Sequence, residues 1–455
     1  MNETRVLSEF VSGHEFGVLP SSVRDRTKQL LLDHIGVSLF ALGRKWCDIA
    51  IDYAREFSYK GECSVFGQAW KTSAQHAAFA NGVCAHGYEL DDNHEGGAGH
   101  PGAAVIPAAL AMAEKSGSTG REFLLSIALG YEIMGRMGRA LGREGTRQHH
   151  PTGQTGVFGA AAAAGKLLGF SAAQMSNALG VSGALASGVM EFTEDPDGSM
   201  IKRLYGGWPA QSGIVAASLA AKGFTGPATI IEGRYGLLRS ITNNLNLPAL
   251  SANLGTDYEI LHVAIKPYAC CRVLHPVVEA IAEIKRRINF KPQDVVEVMV
   301  GATEKMISKH MSYEPQSLMS AQYSLPFTAA IALYRDLRDP RAFDEASLLD
   351  ADIRSACHKV RTEFDREIDV GYPNQFSARV MLTLRGGQKE TETVWNPRGS
   401  PDRPFTADEM KNRFRQLTTT TLTHHLQDAV ITAVDDLDSQ DAANLVTLCR
   451  LIRSH

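Results

Sequence analysis

The stretch from Cys84 to Pro107 carries the densest group of side chains that could perform chemistry. Histidines and carboxylates stand close together there and are interrupted by glycines. Histidine titrates near neutral pH, and a carboxylate can orient the ring or accept a proton itself. Glycine lets the backbone turn sharply and lets a ligand approach closely. The polar residues concerned are His86, Glu89, Asp91, Asp92, Asn93, His94 and His100. The alternative interpretation is a polar loop that satisfies helix ends.

Three further stretches add histidines and cations. RQHHPTGQTG contains His149 and His150 ahead of an alanine-rich segment. The segment around Lys202, Arg203 and Tyr205 is flanked by glycines, which favours a shaped loop over a solvated helix face. The third stretch, IKPYACCRVLHPV, falls near a proposed domain junction, a favoured place for small-molecule sites. It contains Lys266, Cys271, Arg272 and His275.

These residue types suit proton removal next to a carboxylate. That reaction needs a base of tuned pKa, cations for the developing negative charge and an acid for the leaving group. Arginine binds carboxylates in bidentate fashion, and a partly desolvated lysine can act as a base or an acid. A metal ion is the rival, held by His94, His100 and one of the two aspartates. No HExxH, CxxC or EF-hand spacing supports it, so we do not predict a metal site.

Composition limits the class of protein. The chain has 455 residues, of which 44% are hydrophobic and 21% charged, typical of a globular protein with two domains. A net charge of −4 argues against a nucleic-acid surface. The seven cysteines form no CxxC pair and favour a reducing cytosol. We find neither a secretion signal nor a membrane span, since the most apolar segment (156–170) is short and contains Lys166.

Helical patterns dominate the sequence up to about residue 260. Apolar residues recur at helical spacing over Val23–Leu42, and Ala103–Ala113 has the character of a buried helix. Capping boxes at Thr119, Ser171 and Thr406 predict three helix starts. The many alanines and glycines allow helices to pack closely, so we expect an all-helical domain. No GxGxxG or GxxxxGK[ST] motif suggests a bound dinucleotide or nucleoside triphosphate.

The character of the chain changes near residue 290. Residues 295–300 predict a strand, and residues 379–384 with 391–395 predict a hairpin around Gly386-Gly387. Helical segments are expected at 276–288 and 326–334, and again after residue 404. The predicted fold is therefore mainly α: a helical domain, residues 1–262 plus 405–455, with a smaller α+β domain, residues 263–404, inserted before the last helices.

Several of these motifs resemble the MmgE/PrpD family, which includes 2-methylcitrate dehydratase, cis-aconitate decarboxylase and iminodisuccinate epimerase. The resemblance covers essentially the whole chain, and its motifs keep a fixed order. It implies a helical domain with an α+β lid, a homodimer and a reaction without metal or organic cofactor. The matching segments are HGYELDDNH…GHPGAAVIPAALA, HHPTGQTGVFGAAAAAGKLLG, KRLYGGWPAQSGIVAASLAAKGFTGP, KPYACCRVLH, AQYSLPFTAA and NPRGSPDRPFTADEMKNRFR.

The resemblance also implies roles for individual residues. The implied catalytic residues are Asp91, His100, His150, Lys202, Lys266 and His275. As our own hypothesis, the substrate-binding residues are Glu89, Asp92, Asn93, His94, Tyr205, Cys271, Arg272 and Tyr323. In this hypothesis Asp91 orients His100 for proton transfer, His150 or His275 is the second proton-transfer group, and Lys202, Lys266 and Arg272 hold the substrate carboxylates.

Three positions depart from the family pattern. Glu89 stands where relatives often have Asp, Tyr205 replaces the usual His, and Asn93 occupies a position that is often Thr. Each change alters the shape of the pocket or the set of groups in it that can donate or accept protons. The substrate of a named relative therefore does not transfer to this chain.

We therefore expect a cytoplasmic lyase that dehydrates or decarboxylates a small di- or tricarboxylate, with no nucleic-acid or membrane partner. The first alternative is a two-base epimerase of an amino- or imino-dicarboxylate, in which Lys266 and a histidine act on opposite faces of one carbon. The second is a non-catalytic binding protein on the same fold, since fold alone does not give function.

Overall fold

A computed structural model describes residues 2–97, 99–142, 145, 148–195, 198–439 and 443–453. The chain forms two compact units. The helical unit comprises Met1–Met190, Met200–Ile265 and Phe405–His455, and the mixed unit comprises Glu191–Ser199 and Lys266–Pro404. The mainly α class predicted from the sequence is confirmed, with a small sheet in the C-terminal region.

Long helices build the first part of the helical unit. Thr119 and Ser171 form the predicted capping boxes, each side chain accepting a hydrogen bond from the backbone three residues later. These pairs satisfy backbone donors that a helix start would leave without partners. The helices are α1 (Glu3–Gly13), α2 (Ser21–Phe40), α3 (Lys45–Arg55), α4 (Ala74–Ala85), α5 (Pro101–Ser116), α6 (Gly120–Ala140), α7 (Pro151–Leu167), α8 (Ala172–Leu185), α9 (Ile201–Ala221) and α10 (Leu237–Ile241).

Small residues let the central helices approach one another closely. A Cβ atom on Gly159 of α7 would lie 2.8 Å from the carbonyl oxygen of Gly130 on α6. The same atom would lie 2.9 Å from a methyl group of Val105 on α5. Only glycine fits this crossing, which explains the alanine- and glycine-rich composition of the core helices.

Two short antiparallel pairs of strands lie in the helical unit. Strand β1 (Cys63–Ser64) pairs with β2 (Lys71–Thr72), and β3 (Asn93–His94) pairs with β4 (Val263–Ala264). The second pair fixes the polar stretch that follows α4. It also explains why the helical unit continues to Ile265, whereas the sequence predicted a boundary at 262/263. The chain returns to the helical unit at Phe405, and the mixed unit also includes Glu191–Ser199.

The mixed unit contains a four-stranded sheet of order β6-β5-β7-β8. Strands β5 and β6 are parallel, and the other two pairs are antiparallel. Its elements are α11 (His275–Arg287), β5 (Val295–Ala302), α12 (Glu304–Lys309), α13 (Leu318–Gln322), α14 (Leu325–Tyr334), α15 (Glu345–Leu349), α16 (Ala351–Cys357), β6 (Val360–Phe364), α17 (Arg366–Asp369), β7 (Ala378–Leu384) and β8 (Lys389–Val394).

The predicted strand and hairpin of this unit are confirmed. Gly386 and Gly387 both have positive φ angles, 102° and 89°, in the turn between β7 and β8. Helix α11 packs on β7 and β8, and α14 packs on α11 and α16. Strand β6 was not predicted from the sequence.

Three helices follow the mixed unit and complete the helical unit: α18 (Ala407–Thr418), α19 (His424–Asp435) and α20 (Ala443–Leu451). Helix α18 begins at the predicted capping box of Thr406 and Glu409. It packs on α2, where a Cβ atom on Gly36 would lie 3.2 Å from Phe414 and 3.3 Å from Leu417. None of the helices in the described part of the chain combines the length and apolar character that a bilayer span requires.

Candidate functional site

Asp91 links two buried imidazoles in the helical unit. Its Oδ2 atom lies 2.6 Å from Nδ1 of His86 and 3.2 Å from Nδ1 of His100. His86 caps the C-terminal end of α4, and His100 is the N-cap residue of α5, so two helix ends aim their rings at one carboxylate. Burial lowers the pKa of His86 to about 3 against the opposing effect of Asp91, so this ring is neutral.

The contacts of His100 define which of its ring nitrogens carries the proton. Its Nδ1 lies 2.7 Å from the backbone oxygen of Asp92, in addition to its contact with Asp91. Both neighbours are acceptors, so the neutral ring holds its proton on Nδ1 and presents a lone pair at Nε2. The backbone N–H of His100 donates to the hydroxyl of Thr152 at 2.9 Å, which fixes the residue at the start of α5.

The neighbouring carboxyl group, Asp92, has a different environment. It accepts hydrogen bonds from the Tyr131 hydroxyl at 2.7 Å and from the backbone N–H of Gly102 at 2.9 Å. Burial first, and then the nearby carboxylates of Asp91 and Asp33, raise the pKa of Asp92 to about 7 against the effect of those two donors. The adjacent aspartates therefore serve different purposes: Asp91 contacts the imidazoles, and Asp92 holds the first turn of α5.

His150 lies beside this pair of imidazoles. It is the N-cap residue of α7, and its ring stacks on that of His100 with centroids 5.9 Å apart and an interplanar angle of 12°. Its ring centroid is 5.8 Å from that of His86. Burial first, and then the positive charge of Lys202, lower the pKa of His150 well below its ordinary value. His150 is therefore a neutral imidazole at neutral pH.

A buried ion-pair group joins α9 to the polar stretch. The Glu89 carboxylate pairs with the ammonium of Lys202 and with the guanidinium of Arg203, the latter at 2.6 Å. Arg203 also donates to the backbone oxygen of His86 at 3.1 Å. Glu89 has a φ angle of +57°, a left-handed conformation that costs free energy in a residue with a side chain. The ion pairs offset the free-energy cost of that backbone conformation and hold Lys202 near His150.

Tyr205, Asn93 and His94 lie at the edges of this group. The Tyr205 hydroxyl donates to the Val189 backbone oxygen at 2.7 Å, and its ring centroid is 5.2 Å from that of His150. Nε2 of His94 donates a hydrogen bond to the Glu259 carboxylate at 2.7 Å. Asn93 is buried in β3. Tyr205 therefore borders the imidazole cluster, while His94 is engaged in the β3–β4 region.

The mixed unit contains the other predicted cations. Lys266 is fully buried. Arg272 donates to Nδ1 of His275 and to the backbone oxygen of Arg398, each at 3.3 Å. Nε2 of His275 lies 3.1 Å from the backbone oxygen of Cys270, so Nε2 carries the proton and Nδ1 accepts. In this arrangement His275 orients the guanidinium of Arg272.

Cys271 and Tyr323 belong to the same unit. The backbone N–H of Cys271 donates to the Gln322 oxygen at 2.9 Å, which ties the KPYACC stretch to the end of α13. Tyr323 follows α13, and its backbone oxygen lies 2.8 Å from Nδ1 of His310. The Tyr323 ring stacks on that imidazole with centroids 5.8 Å apart.

Both halves of the chain match models of one protein family. The MmgE/PrpD N-terminal domain matches residues 5–248, and the MmgE/PrpD C-terminal domain matches residues 268–439. The chain belongs to the MmgE/PrpD family. The resemblance stated from the motifs is thereby confirmed.

Similar proteins align over nearly the whole length of this MmgE/PrpD chain. A cis-aconitate decarboxylase-like protein of Aspergillus oryzae is 26% identical, with 98% of this chain and 97% of that protein covered. A cis-aconitate decarboxylase of Aspergillus terreus is 27% identical, with 88% and 86% covered. A cis-aconitate decarboxylase of Homo sapiens is 25% identical, with 98% and 94% covered.

The helical unit of this MmgE/PrpD protein brings together predicted residues from three separate stretches. Asp91, His100, His150 and Tyr205 contact one another directly or through one neighbour, and the charge of Lys202 acts on His150. The mixed unit brings Arg272 and His275 together. The catalytic or substrate-binding role of each residue remains a prediction.

Three residues that contact the candidate site were not assigned a role from the sequence. His86 was noted as part of the polar stretch, and only the structure connects it to Asp91. Arg203 was noted beside Lys202, and its bond to Glu89 follows from its position on α9. Tyr131 lies in an apolar helix, where no local signal distinguishes it from a core aromatic. Its contact with Asp92 joins residues 39 positions apart.

His86, Asp91 and His100 also form a possible metal-ligand set among the described residues. Their ligand atoms lie within 4.8 Å of one another, and all three residues are buried. Two imidazoles and one carboxylate are a donor set that several divalent metals accept. Without an ion, Nδ1 of His86 hydrogen-bonds to Asp91, and Nδ1 of His100 hydrogen-bonds to the Asp92 backbone oxygen and lies 3.2 Å from Asp91. The metal-free reaction implied by the sequence remains a prediction.

Proposed function

We propose that this protein is a lyase that acts on a small di- or tricarboxylate by dehydration or decarboxylation, through proton transfer at the carbon next to a carboxylate. The observation that supports this most is the His86–Asp91–His100 arrangement, which leaves the lone pair of His100 at Nε2. The names of the three relatives point to the same reaction class.

His100 is the proposed base for dehydration. Its Nε2 takes the proton from carbon, and the resulting imidazolium is stabilised by the carboxylate of Asp91. The electron pair of the broken C–H bond forms the double bond while the C–O bond breaks. The leaving hydroxide takes the proton that the His100 imidazolium now holds and becomes water, which returns the ring to its neutral form. The neutral ring of His150 is the proposed partner in returning protons to the site.

For decarboxylation the same groups act in a different order. The C–C bond to the departing carboxylate breaks, and its electron pair remains on the substrate carbon as CO₂ leaves. An imidazolium at His100 then supplies the proton that this carbon takes up. Lys202, Lys266 and Arg272 are the proposed cations for the substrate carboxylates and for the negative charge that develops on the substrate. In this proposal no step needs a metal or an organic cofactor.

Two further expectations accompany this function. The homodimeric state implied by the sequence resemblance is tested by light scattering on the purified protein. The cytoplasmic location is tested by fractionation of cells that express the tagged chain.

The reaction is tested by proton NMR in deuterated buffer. The protein is incubated with citrate, 2-methylcitrate, cis-aconitate and iminodisuccinate, with and without EDTA. Loss of water or CO₂ from one compound, unaffected by EDTA, supports the metal-free lyase. Deuterium uptake with inversion supports the epimerase instead. Loss of activity with EDTA contradicts the metal-free proposal and points to the three-residue ligand set.

Matched variants connect the reaction to the site. We expect His100→Gln to lower the rate by about 10²-fold or more, because general acid–base catalysis contributes that much. His425→Gln changes an exposed histidine of α19 and serves as the control. Equal rates for both variants would contradict the assignment of His100.

A further inference from the structure

We propose that Arg413, on the C-terminal helix α18, is a positioning residue that holds the backbone immediately before Asp91. The inference rests on the proposed function, because its effect is measured as turnover. It concerns a residue outside the polar stretches, more than 300 positions along the chain from the aspartate that it supports.

The guanidinium of Arg413 bridges a helix and the polar stretch. Its Nε atom lies 2.7 Å from Oδ1 of Asp33 on α2. One of its terminal nitrogens donates to the backbone oxygen of Leu90 at 3.3 Å. The Arg413 side chain is 11% exposed and that of Asp33 is 2% exposed, so water competes little for these bonds. The planar fork of arginine can make both contacts in one fixed geometry.

The hydrogen bond from Arg413 to the Leu90 backbone oxygen can affect the site because of where Leu90 lies in the chain. It lies between Glu89, with its φ angle of +57°, and Asp91. A displacement of the Leu90 peptide therefore moves the carboxylate of Asp91 relative to two imidazoles. The Asp91 carboxylate lies 3.2 Å from Nδ1 of His100, and the hydrogen bond of that nitrogen goes to the backbone oxygen of Asp92, so movement of this backbone changes both contacts of the ring. A misplacement of about 1 Å can cost about 10²-fold in rate.

The role of Arg413 is separable from the docking of its helix. Apolar contacts of Phe414 and Leu417 at Gly36 already pack α18 on α2. Thr406 and Glu409 provide the start of α18 independently. A change at Arg413 that keeps a cation beside Asp33 should therefore leave the helix in place and disturb only the bond to Leu90.

Two variants test this with turnover of the substrate identified by NMR. Arg413→Lys keeps a positive charge beside Asp33 but loses the planar guanidinium that reaches both Asp33 and Leu90. The double variant Arg413→Met, Asp33→Asn removes the ion pair without leaving a buried unpaired charge. We expect kcat to fall about 10-fold or more in both, with KM within about twofold of wild type, because the defect lies in the geometry of the site and not in substrate binding. Arg415→Met, on the same helix with an exposed partner in Asp428, is the control and should keep wild-type kcat.

The outcomes separate the two hypotheses. If wild-type protein turns over none of the panel, the proposed function fails, and the proposal for Arg413 fails with it. If wild-type protein is active and both Arg413 variants fold with unchanged kcat, the positioning role alone is overturned. A rise in KM as large as the fall in kcat would assign Arg413 to substrate binding and would also overturn the positioning role. Failure of both variants to fold would show that Arg413 acts on folding, contrary to the proposal.

Discussion

The ammonium of Lys202 and the carboxylate of Glu89 form a buried ion pair in the helical unit. Arg203 joins the same carboxylate oxygen at 2.6 Å. A substrate-binding role for Lys202 must therefore operate beside a carboxylate that the protein supplies itself. This relationship makes Glu89 a determinant of stability as well as of the charge of the site.

Replacing Glu89 with Gln should destabilise the protein markedly. The change leaves Lys202 and Arg203 buried without this carboxylate, and removing one partner of a buried ion pair costs about 3–5 kcal/mol. Urea unfolding measures the loss. Glu283→Gln, which breaks an exposed pair with Arg286, should cost no more than about 1 kcal/mol. Equal losses for the two variants would contradict a structural role for the buried group.

Replacing Asp91 with Asn should lower kcat by about 10²-fold or more while the fold remains intact. An amide carries no negative charge, so the variant loses the carboxylate that stabilises an imidazolium at His100. Steady-state kinetics measure the effect, and circular dichroism checks the fold. Asp428→Asn, at an exposed position of α19, is the control. Wild-type kcat in Asp91→Asn would exclude the His–Asp arrangement from the reaction.

The stability of the protein should depend on pH through Asp92. Burial raises the pKa of this carboxyl from 3.8 to about 7, so the folded protein binds the proton more tightly than the unfolded chain. The stabilising contribution is complete below the unfolded pKa and is lost as the pH rises through 7. Asp92→Asn removes this dependence. Between pH 5 and pH 8 we expect its free energy of unfolding to gain about 2–3 kcal/mol relative to wild type. Parallel curves for the two proteins would contradict the raised pKa.

Alanine at Gly159 should destabilise the crossing of α6 and α7. The added Cβ would lie 2.8 Å from the Gly130 oxygen and 3.0 Å from Met134, and overpacking of this kind costs about 1–3 kcal/mol. Gly13→Ala adds the same atom at the end of α1, where nothing lies within 4 Å. Thermal unfolding should show a lower Tm for Gly159→Ala and an equal or higher Tm for Gly13→Ala. The reverse order would contradict the close approach of these helices.

Features with local causes were predictable from the sequence. The capping boxes at Thr119, Ser171 and Thr406 and the Gly-Gly hairpin rest on hydrogen bonds between residues a few positions apart. Strand β6 escaped prediction because it is a half-exposed edge strand whose parallel pairing with β5 requires a distant partner.

The residues of the candidate site divide in the same way, into those identified from local sequence and those identified only from the fold. Titratable side chains in polar stretches identified Asp91, His100 and His150, since their residue types alone suggest chemistry. The contacts of Tyr131 with Asp92 and of Arg413 with Leu90 depend on how distant helices pack. Neither residue differs locally from an ordinary core tyrosine or a solvated helical arginine, so only the fold assigns them to the site.

The order of the elements along the chain also affects how the protein is made. Helix α18, which covers α2 and carries Arg413, is synthesised after the whole mixed unit. A nascent chain that has emerged only to residue 404 therefore exposes the apolar face of α2 around Gly36, a surface that chaperones recognise in unfinished domains. The helical unit therefore closes its core only after the mixed unit has been synthesised, and termination of the chain before residue 405 should yield aggregation-prone protein with a disturbed Asp91.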